Sequence, residues 1–371
     1  MSGGVLGRFE SINRARLHRI REALRPEQVR FFDVLPLLFH VNRPGLPGYV
    51  SRATPAGIER FAPGPEAMDA ALHLFRSAIG AGEAADPRDL LGIYCLGSLG
   101  SIAHCPESDL DVWVCHEPGI EARRLAELNA KARVIEQWAK GLGLEVHFFL
   151  IDPERFRAGG HARLSAECSG NAQHYLLLDA FYRSSVVLAG LCPMWWRVPP
   201  AEEHRYAECV AGLEVPEMPG VDLGGLGEVP REEFAGAALW QLGKVIDAPY
   251  KSVLKLLLLE AYAGEYPRPD LLAMSYKAYI YGGLPMPRPS IRIGFCTAGS
   301  KSTSKGRPIR HDWRWPGAVC TLRRKRRNAI SPRTWPGPGV GGSSRGSASN
   351  GAGRARTPRG SQSGIDGASI G

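Results

Sequence analysis

One segment restricts the fold of this chain more than any other. The apolar run Leu90 to Leu96 stops at Gly97-Ser98-Leu99-Gly100-Ser101, and Ser108-Asp109-Leu110-Asp111-Val112-Trp113-Val114 follows. Side chains alternate across a β-strand, so Asp109 and Asp111 project from one face while Leu110, Val112 and Val114 point into a core behind them. The segment therefore reads as a strand, a turn of small residues, and a second strand that holds two carboxylates side by side. Such a pair repels itself unless a cation lies between its members. Mg²⁺ suits it, being a hard cation commonly bound through one or two carboxylates plus substrate phosphates. The turn can offer backbone N–H groups and a hydroxyl to the same phosphates. The segment reads as a metal–nucleotide site.

The joint pattern, hhGSxxS-x6-SDLDhWV with h apolar, is more specific than either half. It resembles the nucleotidyltransferase signature of the DNA polymerase beta superfamily, in which a Gly-Ser turn precedes an Asp-x-Asp strand. A two-metal phosphoryl-transfer site needs a further carboxylate from a neighbouring strand. Leu144 to Ile151 (LEVHFFLI) reads as that strand. Glu145 at its start is the candidate, and Asp152 just past its end is the reserve. His147 shares a face with Glu145 and reads as a partner of the carboxylates rather than a ligand or base. Trp113 lies on the aspartates' own face, where it would shape the site, stack on a base, or fill the core.

Lys251 and Lys255 lie four apart on an otherwise apolar helix that begins near Pro249, so both fall on one side. They either reach a triphosphate or form a solvated face. Elsewhere, residues 5–40 read as helical with a stop at Pro26, and 66–80 as another helix. Ile120 to Gly141 is a strongly amphipathic helix, Gln173 to Ala189 an apolar one, and 232–264 helical with a break near Pro249. The fold class is α+β: a small mixed nucleotidyltransferase-like sheet with flanking helices, then a helical domain and a disordered C-terminal tail.

The net charge of +9 is misleading as a guide to partners. Residues 285–371 carry 17 lysines and arginines against Asp312 and Asp366, while residues 1–284 carry 29 basic and 35 acidic side chains. The basic character belongs to the tail and does not make the whole chain a nucleic-acid binder. The eight cysteines include no C-x-x-C pair, and Cys95, Cys105 and Cys115 fit no zinc spacing. They read as reduced thiols of a cytoplasmic protein. The N-terminus lacks the apolar stretch of a signal peptide, and no run is long enough to span a bilayer.

Five passages extend the resemblance beyond the superfamily. LPLLFHVNRPGLPGYV (35–50), IYCLGSLGSIAHCPESDLDVWVCHE (93–117), LGLEVHFFLIDPERFR (142–157), CSGNAQHYLLLDAFYRSSVVLAG (168–190) and ALWQLGKVIDAPYKSVLKLLLLEAYAGEYPRPDLLA (238–273) resemble the class I adenylate cyclases of gammaproteobacteria. The resemblance implies a polymerase-beta-like domain that converts ATP to 3′,5′-cyclic AMP and pyrophosphate with two Mg²⁺ ions, Mn²⁺ being the substitute. Asp109, Asp111 and Glu145 would then be the catalytic metal ligands. Gly97 and Ser98, helped by Ser101, would hold phosphate oxygens, with Lys251, Lys255 and Trp113 completing the nucleotide contacts. It also implies a long C-terminal region regulated through the sugar phosphotransferase system.

The resemblance reads as ending after Ala273, where Gly, Pro, Ser and Arg begin to dominate. Such a composition buries too little apolar surface to offset its ordering entropy. A genuine basic tail, with Arg323 to Arg327 its strongest element, would bind nucleic acid or anionic surfaces. Out-of-frame translation of GC-rich DNA yields the same composition and accounts better for Trp313, Trp315 and Trp335. The expected division is an N-terminal helical segment (1–85), a catalytic domain (86–200), an incomplete helical domain (201–280) and the tail (281–371), a frameshift product. Such a chain would be a truncated cyclase, inactive if its missing parts are needed, and the phosphotransferase regulator would find no site on it. The alternatives are another nucleotidyltransferase of the superfamily, or a non-catalytic nucleotide-binding fragment with a basic tail.

Overall fold

Proline and glycine punctuation sets the first elements of the structure, a computed structural model that describes residues 2–76, 87–97, 109–159, 173–213, 219–246 and 249–283. Helix α1 (Ser2–Ala23) gives way to α2 (Pro26–His40), whose first-turn proline costs no hydrogen bond. Then come α3 (Pro65–Phe75), β1 (Leu90–Leu96), β2 (Leu110–His116), α4 (Ala122–Gly141) and β3 (Val146–Ile151). A short α5 (Pro153–Arg157), α6 (His174–Ser184) and β4 (Val186–Gly190) follow, and α7 (Tyr206–Leu213), α8 (Arg231–Lys244), α9 (Pro249–Gly264) and α10 (Leu272–Tyr281) close the described part. Ser98, Ser101, Cys105 and the tail beyond residue 283 lie outside the described residues.

The four strands form one mixed sheet in the order β3-β2-β1-β4. β1 is antiparallel to both β2 and β4, and β2 runs parallel to β3. The sheet separates two cores. Leu110, Val112 and Val114 of β2 join Ile93 and Cys95 of β1 against α2 and the Leu128, Ala132 and Ile135 stripe of α4. Trp113, Cys115, Tyr94 and Leu96 face the other way, toward Leu178, Phe181 and Tyr182 of α6 and toward Trp195. A fully buried side chain of this size contributes about 1.5–3 kcal/mol, so each strand is held from both sides.

Three expectations change. The helix read over Gln173 to Ala189 ends at Ser184, and Val186 to Gly190 is the fourth strand. Ser184 turns its hydroxyl onto the Ala180 carbonyl at 2.6 Å, and the β-branched pair Val186-Val187 then suits the pleat beside β1. The helix expected over 66–80 runs from Pro65 to Phe75, with Arg76 at its end in the left-handed region. Third, ordered packing continues past Ala273: α10 buries Leu272, Ala273, Lys277 and Ile280.

Lys277 locks α10 in place. Its side chain has no exposure, its Nζ donates to Glu203 Oε2 at 2.8 Å, and it lies 4.1 Å from the Trp195 ring centre. Glu203 also accepts from Trp195 Nε1 and from the Leu226 amide. Removing one partner of a buried pair leaves the other charge uncompensated, whereas an apolar side chain of similar volume keeps the packing. Lys277→Ala is therefore expected to cost about 3–5 kcal/mol in urea unfolding, and Lys277→Met clearly less.

A second buried lysine sits on the opposite side of the sheet. Lys131 of α4 has one hydrogen bond, to the Val41 carbonyl at 3.3 Å, and burial pushes its pKa down to about 7. The unfolded lysine keeps its proton to about pH 10.4, so the unfolded state holds more protons between these limits. Stability gained from this position thus rises with pH above about 7, and the cost of burying the charge is fully present below it. Lys131→Met should raise the unfolding free energy at pH 6 relative to wild type, with the gap narrowing toward pH 10. Urea titrations of both proteins across that range check the sign.

Candidate functional site

The outward row of β2 explains where the candidate site lies. Cys115, Trp113 and Asp111 share one face of the strand, and Asp109 is the residue just before its start. Toward the strand's end the row is covered: Trp113 stacks on Phe181 with ring centres 4.8 Å apart and meets Phe156 edge-on at 5.4 Å. At its beginning the cover ends, leaving Asp111 half-buried and Asp109 exposed. Trp113, at 3% exposure, is a core side chain whose ring is already packed, which corrects its reading as a base-stacking residue.

β1 brings the turn to the same place. Leu96 pairs with Asp111, and Gly97 leaves the strand with φ of +90°, in the region that favours glycine. A Cβ at Gly97 would stand 4.0 Å from Asp111 Oδ2, so the turn backbone passes close to the carboxylate.

β3 supplies the neighbours on the other side. In the parallel register Asp111 lies beside His147. The residue before the strand, Glu145, accepts the Leu110 amide on its carbonyl at 2.8 Å, and its carboxylate lies 3.3 Å from His147 Nε2. Glu145 is well exposed, on the same edge as Asp109. Asp152 is elsewhere: it caps α5 by accepting the Arg155 amide at 3.0 Å, about 16 Å along the strand from His147. Its reading as the reserve metal ligand is therefore corrected.

Helix α9 faces Asp111 with both of its lysines. Burial pushes the Asp111 carboxyl above its ordinary range. Lys251 pulls it back, the like charge of Asp109 pushes it up again, and His147 and Lys255 pull it down. Lys255 keeps solvent access yet is walled in by protein. That enclosure, with the charges of Lys251, Arg183 and Lys244, holds it down to about 8 against the pull of Asp111. A carboxylate strand thus lies within electrostatic reach of a basic helix. Among the described residues no group of three or more His, Cys, Asp or Glu side chains converges into a metal cluster.

One residue that sequence reasoning missed holds the two walls together. Asp179 of α6 is 1% exposed and accepts from Arg183 Nε at 3.0 Å, Tyr262 Oη at 3.2 Å and the Ala273 amide at 2.8 Å. Tyr262 Oη in turn accepts the Leu272 amide at 2.9 Å. One carboxylate thus ties α6 to α9 and to the start of α10, and sets Arg183 toward Lys255. Glu233 of α8 adds a second tie by accepting the Tyr175 and Leu176 amides of α6. The Asp179/Arg183 spacing of four was visible in the sequence, but nothing local marked it as more than a surface pair.

Fold and site together define an α+β protein in which paired strand carboxylates face a lysine-bearing helix. Comparison with known proteins gives its family. A model described as "Adenylate cyclase NT domain" matches residues 4–196, and one described as "Adenylate cyclase, class-I, second domain" matches 229–286. The chain belongs to the class I adenylate cyclases. Adenylate cyclases of Yersinia pestis and Escherichia coli K12 are 41% and 40% identical to it over alignments of 285 and 283 residues that cover 74% of this chain. The chain spans 33% of the length of these relatives. No solved structure matches it. The match to the second domain runs to residue 286, which moves the limit of family resemblance well past Ala273. No helix among the described residues is long and apolar enough to cross a membrane.

Asp179→Ala would remove the shared acceptor of Arg183 Nε, Tyr262 Oη and the Ala273 amide at once, with an expected cost of about 3–5 kcal/mol. Hydrogen exchange should accelerate first in 249–264 and 272–281, before the sheet.

Proposed function

We propose that this chain carries the nucleotidyl-cyclising site of an adenylate cyclase, converting ATP to 3′,5′-cyclic AMP and pyrophosphate. The observation that supports this most is the placement of Asp111, which feels Asp109 beside it and Lys251, Lys255 and His147 around it. Family membership supports the same reading.

The residues present fit divalent cations. Asp109 and Asp111 are hard oxygen donors on one face, and their mutual repulsion is what a cation relieves. They would hold two Mg²⁺ or Mn²⁺ ions, with Glu145 as the third carboxylate. Bound metal would supply charge neutralisation at the triphosphate and a lowered pKa at the ribose 3′-hydroxyl.

The chain's own groups do the positioning. Lys251 and Lys255 bind triphosphate oxygens from the α9 side. Gly97 brings backbone close to them from the β1 side, and Ser98 and Ser101 add hydroxyls. The ribose 3′-oxygen attacks the α-phosphorus of the same nucleotide as the bond to the bridging oxygen of the leaving pyrophosphate breaks, and the hydroxyl proton passes to solvent. Nucleophile and electrophile share one molecule, so the cleft must hold ATP folded back on itself, and orientation carries much of the rate.

The second reading, a fragment that binds nucleotide without turnover, draws on the chain's 33% coverage of its relatives. Incubating purified chain with ATP and Mg²⁺ or Mn²⁺ separates them by product. The expected result is cyclic AMP and pyrophosphate in equal amounts, lowered about 10²–10³-fold in Asp111→Asn. ATP binding with no product would select the fragment reading, and a nucleotide-modified acceptor would select another nucleotidyltransferase.

A further inference from the structure

Helix α9 is rich in leucine, yet only Ser252 and Tyr262 of its 16 residues are buried. Its Lys251 and Lys255 side faces Asp111. At about 100° per residue, Tyr250, Val253 and Leu257 fall on the far side, Leu254 lies between them and Lys251, and all four are exposed. Helix α8 packs against α9 and adds exposed Leu239 and Leu242, with exposed Ile246 just past its end. Among the described residues the other exposed large apolar side chains are Val50, Leu72 and Val134, on three separate segments, and Tyr266 just past α9. Scattered ones need no explanation, but seven on one helical pair do.

We propose that this face is the contact between two copies of this chain, packed hairpin against hairpin about a two-fold axis as a four-helix bundle. The area supports a second copy. The seven side chains expose between 37% and 88% of their surface, on the order of 600 Å² together. That is the upper end of the roughly 300–600 Å² that the largest patch on a monomer reaches. A standard interface takes about 800 Å² from each partner, a little over half of it apolar. The patch supplies that apolar share.

Its character also suits a self-match. A mainly apolar face, with exposed Glu260 at its rim one turn beyond Leu257, is complementary to itself under a two-fold rotation, and two helices from each copy make a closed bundle with no open end. Of the nearby lysines, Lys251 and Lys255 act on Asp111, and Lys244 lies over the Trp240 ring at 5.1 Å. Pairing leaves the cleft open and braces α9 from behind, so the contact stands whether or not the cleft turns over ATP.

Sedimentation equilibrium of the full chain across the micromolar range tests this, comparing wild type with Leu239→Glu/Leu257→Glu and with Leu72→Glu as a control away from the face. The expected result is twice the chain mass for wild type and the control, and a single chain mass for the double variant with unchanged circular dichroism. A wild type that stays monomeric, a double variant that keeps twice the mass, or open-ended assemblies of mixed size would each overturn the proposal. Binding of the part of the Yersinia pestis enzyme that lies beyond the matched region, by an otherwise monomeric chain, would assign the face to that segment instead. Hydrogen exchange on wild type covers the case of a variant that fails to fold. Protection of 239–257 should grow with concentration, and its absence would overturn the contact equally.

Discussion

The alternation of β2 governs most of this structure. Its inward row, Leu110, Val112 and Val114, anchors the sheet to α2 and α4. Its outward row passes from Cys115 and Trp113, sealed beneath α6, to Asp111 and Asp109, which emerge where that cover stops. Because the same strand is clamped on both faces, Asp111 is held in place, and Asp109 precedes it by one period of the alternation at the strand's edge. The like charge of Asp109 therefore acts on a carboxylate that the fold fixes. A cluster of like charges persists in a structure only when something else compensates it, and the lysines of α9 do so in part. The rigidity that packs Trp113 is the rigidity that poises Asp111.

Much of this was legible in the alternation and punctuation of the chain. The limits of β1, the start of β2, the α4 helix and the break at Pro249 follow from local patterns that packing then reinforces. Other features depend on what covers a face, which no local pattern reports. Alternation puts Trp113 on the aspartates' side, but only the position of Phe181, far along the chain, decides that the tryptophan is buried and Asp111 is not. β4 was hidden for a related reason. Residues 173–189 are apolar on most sides, and a run of that kind suits a buried helix and a buried strand equally until a neighbour such as β1 pairs with it. Asp179 meets Tyr262 across 83 residues of chain, a contact that spacing cannot announce. Composition misled at Ala273, because MSYKAYIYGG loses the leucine-rich signature of α9 while Lys277 and Ile280 remain buried.

The two walls of the cleft differ in how firmly they are held. The carboxylate wall belongs to a sheet with a core on each side. The basic wall belongs to α9, which buries two residues and reaches the rest of the molecule through α8, the small cluster of Val229, Phe234, Tyr262, Leu271 and Leu272, and the bonds to Asp179. Each such tie contributes about 1–3 kcal/mol when buried, so a handful of them sets where Lys251 and Lys255 stand relative to Asp111. Attraction to Asp111 draws α9 inward, and the crowding of Lys255 by protein and by its basic neighbours opposes it. The helix therefore sits at a balance of weak terms, with a wide apolar face on its far side that contributes nothing while it is in water. Covering that face adds the term the balance lacks, and it does so without touching the cleft. A basic wall thinly tied on its inner side and apolar on its outer side is what a helix looks like when its position is meant to be completed by a partner.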